Sequence, residues 1–191
     1  MNKVILDLES VKLTDEQFFQ LCLKNRDFRF ERDVTGELII MAPAGSETSN
    51  RNIEVAYQLQ AWSRSNNLGI AFDSSGGFKL PNGANRSPDA AWIKLESWQG
   101  LTAEQKTRFA PICPDFVIEL RSPSDSLKNL QKKMAEYMAN GTRLGLLIDR
   151  KNRQVEVYRR GEKEAEVFNN PATISGEDVL PGFILDLTKI W

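Results

Sequence analysis

The stretch PDFVIELRSPSDSL, residues 114–127, decides how the rest of the chain is read. Side chains along a strand alternate between two faces. Phe116, Ile118 and Leu120 therefore share one side, while Asp115, Val117, Glu119 and Arg121 share the other. Glu119 is thus a carboxylate among apolar neighbours. Such a charge costs free energy unless something pairs with it, and proteins keep that arrangement most often at sites that use the charge.

Working outward, SDSLKNLQKKMAEYMANG reads as a helix with Leu127, Leu130, Met134, Tyr137 and Met138 on one face, closed by Gly141. TRLGLLIDR and RQVEVYRR follow as strands around a turn at Lys151-Asn152. Upstream, SPDAAWIKL is a strand that Asp89 opens after Pro88, GIAFD and GFKLP are short strand-like pieces, and LTAEQKTRFAP is a small surface helix. SETSNRNIEVAYQLQAWSRSNN is the first long helix, with Ile53, Val55, Ala56, Leu59 and Trp62 on a broad apolar face and Glu47, Arg51, Glu54 and Gln58 on a polar stripe. Ahead of it, FRFERDVTGELIIMAP alternates and turns at Thr35-Gly36 as a hairpin, and Thr14 with Gln17 three residues on forms a capping box that starts a helix reaching about Asn25. The order predicts an α/β sandwich with a central mixed β-sheet flanked by helices, plus an N-terminal helix and hairpin, in one domain over residues 1–191.

Composition narrows the chemistry. A chain of 191 residues that is 41% hydrophobic can bury a full core, and its net charge of −1 argues against a uniformly basic coat. The charge is unevenly spread: residues 121–160 hold ten basic side chains against four acidic ones, room for a local basic patch. The chain has no histidine, which excludes Ser-His-Asp and Cys-His catalysis and every histidine-ligated metal site. Cys22 and Cys113 lack paired spacing, so neither a disulfide framework nor a thiolate zinc site is expected. GxGxxG and Walker-A patterns are absent. Asp7 and Glu9 interrupt the N-terminal apolar run, and no stretch approaches eighteen apolar residues; no membrane association is expected, and the cytoplasm is the expected compartment.

Carboxylates and lysines therefore carry the remaining possibilities. If the strands of Asp89 and Glu119 are neighbours, two carboxylates converge, and Mg²⁺ commonly uses one or two carboxylates with water and substrate phosphate completing its shell. A turn role for Asp89 and a structural pair between Glu119 and Arg121 or Lys133 remain open readings. On the helical wheel Lys133 borders the apolar stripe beside Tyr137 and reaches inward, whereas Lys128 and Lys132 point away. Arg121 shares the face of Glu119 and could stabilise phosphate charge, but it stays protonated and cannot act as a base.

The segments APAGSETSNRN, FDSSGGFKLPNGANRSPDAAWI, PDFVIELRSPSDSL and KMAEYMANGTRLGLLID together resemble the Uma-type restriction-endonuclease family, a bacterial branch of the PD-(D/E)XK nuclease superfamily, over roughly residues 15 to 160. The resemblance implies a restriction-endonuclease-like fold and an endonuclease that hydrolyses DNA with Mg²⁺ or Mn²⁺. It places Asp89 and Glu119 as metal ligands, a lysine assisting the attacking water, and Glu47 or Glu54 as the helix acid that often completes such a site. The sequence departs from the superfamily pattern at Arg121, where lysine is expected; in the Uma-type branch the lysine is displaced to the next helix, matched here by Lys133 and Tyr137. Thr48 stands where many relatives place a histidine. These departures sustain an alternative, a catalytically inactive nuclease-fold domain that binds nucleic acid or a protein partner. DNA is the implied partner, and because superfamily nucleases often dimerise, the apolar tail FILDLTKIW offers a surface for a second copy.

Overall fold

The computed structural model describes residues 3–6, 12–41 and 44–191. Asp7, Glu9 and the Ala42-Pro43 end of the expected hairpin lie outside the described residues. The N-terminal part runs β1 (Lys3–Leu6), α1 (Asp15–Lys24), β2 (Arg29–Arg32), β3 (Leu38–Met41) and α2 (Ser46–Asn66). The middle follows as β4 (Gly69–Asp73), β5 (Phe78–Lys79), β6 (Asn85–Arg86), β7 (Ala90–Lys94), α3 (Leu95–Gln99), α4 (Ala103–Lys106), β8 (Phe116–Leu120) and α5 (Leu127–Asn140). The chain then forms β9 (Leu144–Asp149), β10 (Gln154–Arg159), β11 (Glu166–Asn169), β12 (Thr173–Ser175), β13 (Ile184–Asp186) and a 3₁₀ turn, Leu187–Lys189.

FVIEL is β8, and it is buried along its whole length because it lies inside a six-stranded sheet ordered β11-β10-β9-β8-β7-β4. β8 and β9 are parallel, while the other pairings in this sheet are antiparallel, so the sheet is mixed as the sequence predicts. A parallel pair needs a long crossover, and α5 supplies it. Alternation along β8 sorts its side chains into two cores. Phe116, Ile118 and Leu120 pack with Val55 and Leu59 of α2, and Val117 packs with Leu130, Met134 and Tyr137 of α5. Helices therefore cover both faces of the sheet. α5 ends at Gly141, whose φ of +119° is the left-handed cap that glycine adopts without strain.

The N-terminal hairpin joins a second, five-stranded sheet ordered β1-β3-β2-β6-β5. β2 meets β6 through a single register pair, Arg32 with Asn85. The capping box of α1 is present, with Gln17 N–H donating to Thr14 Oγ1 at 3.2 Å and Thr14 N–H to Gln17 Oε1 at 2.9 Å.

One reading of the sequence needs correction. The inward face of α2 is Asn52, Val55, Leu59 and Ser63, and Ile53 is exposed, because the packing stripe sits one position away from the most apolar one. The apolar tail is occupied within its own chain: Phe183, Leu185, Leu187 and Ile190 are buried in the core that α2 shares with β8 and β9. Ile184 of the same tail is 55% exposed. No helix among the described residues is long and apolar enough to cross a membrane.

Candidate active site

β7 and β8 pair antiparallel with Ala90 opposite Ile118, so one further step of that register sets Asp89 opposite Glu119 on the same face. Asp89 is held from two sides. The Leu120 N–H donates to its Oδ2 at 2.8 Å, and the Asn52 Nδ2 of α2 donates to its Oδ1 at 3.0 Å. The second contact exists because α2 turns Asn52 onto its buried face.

α5 brings in the cation. Lys133 Nζ lies 2.7 Å from Glu119 Oε1 and 2.8 Å from Glu31 Oε1, and its side chain is only 11% exposed. One turn later on the same helix face, the buried Tyr137 donates its hydroxyl to Glu119 Oε1 at 3.1 Å. Glu31 arrives from β2, a strand of the other sheet, and is fixed there by the Ser87 N–H at 3.0 Å and by Arg86 Nη1 at 3.2 Å. Arg86 is itself tied to Glu136 of α5, Nε to Oε2, at 2.5 Å. The two sheets are thus stapled across α5 by alternating charges, Glu119–Lys133–Glu31–Arg86–Glu136. A cavity of about 410 Å³ bordered by Glu31, Arg86, Lys133 and Glu136 opens onto this chain.

Electrostatics follow from burial. Desolvation pushes the Glu119 carboxyl up to about 7; the neighbouring Asp89 and Glu31 charges add to the rise, and Lys133 opposes it. Desolvation likewise raises Asp89, against the Leu120 N–H that stabilises its charge. Glu31 moves the other way: burial would raise it, but Lys133 and Arg86 together hold it below the usual carboxylate range. Burial alone would pull the Lys133 ammonium down, yet Glu119 and Glu31 outweigh it and hold the proton on more firmly than in water. Lys133 is a fixed positive charge in this arrangement and a poor proton acceptor.

The structure brings Asp89, Glu119 and Lys133 together. Arg121 points elsewhere: its Nη1 pairs with the buried Asp149 at 2.5 Å and its Nε donates to the Asp125 carbonyl at 3.2 Å. Glu47 is exposed on the first turn of α2, where Arg150 Nη2 meets its Oε1 at 2.5 Å. Glu54 accepts from Gln58 at 3.0 Å on the side of α2 that faces β13. Lys132 is exposed. Sequence reasoning missed Glu31, Arg86 and Asn52. Asn52 left a signal, since it shares a helical stripe with Val55, Leu59 and Ser63. Glu31 left none, because its partners come from α5 and β6.

The donors suit a hard cation. Asp89 and Glu119 offer carboxylate oxygens, and the Asn52 Oδ1 beside Asp89 is buried and meets no donor among the described residues. Those residues contain no group of three or more His, Cys, Asp or Glu placed to hold a metal. Two carboxylates, with water and substrate oxygens to complete the shell, are the pattern that Mg²⁺ accepts.

A family model described as "Uma2: Putative restriction endonuclease" matches residues 15–188 of this chain. Among solved structures, "a putative nuclease belonging to DUF820 from Anabaena variabilis ATCC 29413" superimposes with a TM-score of 0.73 at 22% identity, covering 93% of this chain and 97% of that one. At that identity the likeness establishes the shared fold alone. A comparison with curated proteins finds no match.

Proposed function

This chain belongs to the Uma2 family, whose model is described as a putative restriction endonuclease, and from that premise we propose that it is a Mg²⁺- or Mn²⁺-dependent endonuclease hydrolysing DNA phosphodiester bonds. The observation that carries the reading is the Lys133 ammonium, 2.7 Å from the buried Glu119, whose cross-strand neighbour is Asp89. In this reading Asp89 and Glu119 hold the cation, which when bound polarises the phosphate and lowers the pKa of its water.

The chain's own groups have distinct tasks. The Leu120 N–H and Asn52 aim the Asp89 carboxylate, and the Tyr137 hydroxyl aims that of Glu119. Lys133 presents a fixed positive charge to the nucleophile and to the negative charge that develops on phosphate, and its raised proton affinity suits that role better than proton abstraction. Glu31 keeps this ammonium in place when Glu119 turns to another cation. Arg121, where the superfamily pattern expects lysine, is tied to Asp149 and takes no part at Glu119.

The test is nicking of supercoiled plasmid. Cleavage is expected with Mg²⁺ or Mn²⁺ and should stop with EDTA. Asp89→Ala should lower turnover beyond the roughly 100-fold typical of losing an outer-shell partner. Cleavage by Asp89→Ala at the wild-type rate sinks the assignment. Metal-independent DNA binding without turnover in the wild type would favour the inactive nuclease-fold domain.

A further inference from the structure

A second charged cluster lies at the carboxyl ends of the parallel strands β8 and β9, where a cavity of about 300 Å³ is lined by Glu47, Arg121, Ser122, Pro123, Arg150 and Lys151. Its three cations differ in how firmly they are engaged. Arg121 is locked by Asp149, which is 3% exposed. Arg150 is mostly buried, yet its carboxylate partner Glu47 has a side chain 72% exposed, and its Nε is buried with no acceptor among the described residues. Lys151 is exposed at the rim. An ion pair with one fully solvated partner is weak and readily exchanged. A guanidinium with an unused donor is suited to a bidentate oxyanion.

The position is informative as well. Arg121 follows Glu119 by two residues, roughly 7 Å along the strand, so the wall of this pocket begins close beside the candidate metal ligands. Glu47 begins the helix whose Asn52 holds Asp89. The pocket therefore adjoins the candidate active site along the direction of β8.

We propose that this pocket binds a backbone phosphate of the DNA strand next to the one held at Asp89 and Glu119, and that Glu47 stands in for that phosphate on Arg150 when no strand is bound. The proposal rests on the nuclease reading. It gives Glu47 the opposite task from a helix acid of the metal site: its carboxylate competes with the substrate.

Binding of a labelled duplex in EDTA, followed as a function of salt, tests this. Arg150→Gln and Lys151→Gln, the latter at an exposed position, should each weaken binding and reduce the salt slope by about one. Glu47→Gln should tighten binding severalfold at low salt. Unchanged affinity and slope in both cation variants, or weaker binding by Glu47→Gln, overturn the pocket while leaving metal-dependent cleavage by the wild type, and thus the nuclease reading, standing. Stabilisation of the wild type by inorganic phosphate that Arg150→Gln abolishes, with DNA binding unaltered, would assign the pocket to a free anion and overturn the strand assignment. A wild type that neither binds nor cuts DNA overturns both readings together.

Discussion

Lys133 and Arg121 are both cations near Glu119, yet they end in opposite surroundings. Lys133 crosses from α5 and sits between two carboxylates that are 4–5% exposed. Arg121 continues β8 past Glu119, turns away to Asp149, and shares a wall with Arg150 and the solvated Glu47. In the first region Lys133 and Arg86 are each shared between two carboxylates that are themselves at least partly buried, so removing one cation leaves a carboxylate stranded. At Arg150 in the second, water can replace the partner. The difference shows why the strand's own arginine cannot take the lysine's place: the face of a residue decides only which side it emerges on, and the nearest carboxylate then captures it.

The largest expected effect is on stability at the buried cluster. Lys133→Ala leaves Glu119 without a cation and Glu31 with Arg86 alone, and urea unfolding should show a loss of about 3–5 kcal/mol. A loss below about 1 kcal/mol would mean that water reaches the pair and that the two regions do not differ. Next comes Glu31→Gln, which keeps the shape and removes the charge that steadies Lys133. Plasmid nicking should fall about 10–100-fold, mainly in kcat, while Glu31→Ala should also destabilise the fold.

The pH dependence is smaller but has a definite sign. Because the folded Glu119 titrates near 7, above the ordinary carboxylate value, the folded state binds more protons than the unfolded one between about pH 4.5 and 7. This group's contribution to stability therefore falls as pH rises through that window. Cation binding at Glu119 should change the other way and strengthen from pH 6 to pH 8. Titration calorimetry showing weaker Mn²⁺ binding at pH 8 than at pH 6 would contradict the account. The smallest effect belongs to the solvated carboxylate: Glu47→Ala should leave the urea unfolding midpoint close to that of the wild type.

Much of this was legible in the sequence, for physical reasons that can be named. FVIEL and LGLLID read as strands because both faces of an inner strand are covered, and each is buried throughout. Lys133 was legible because a helical wheel fixes its angle to the Leu130–Met134–Tyr137 stripe, which the sheet then buries. Glu31 was not. In an alternating hairpin it reads as one more polar residue, and its burial comes from β6 and α5, elements distant in sequence that meet β2 only after folding. β6 was missed for a related reason: Asn85-Arg86 carries no strand signal, and its ladder to β2 is one residue pair long. Glu47 was drawn toward the metal by resemblance, whereas Arg150 at the end of β9 holds it at the surface.

The most direct measurement of the central claim is the position of Mn²⁺ in a crystal structure of the soaked protein. The account predicts an ion ligated directly by carboxylate oxygens of Asp89 and Glu119, with Lys133 still on Glu31 and Asn52 still on Asp89. An ion bound instead at Glu47 and Asp149, with Lys133 unmoved between its two carboxylates, would contradict it.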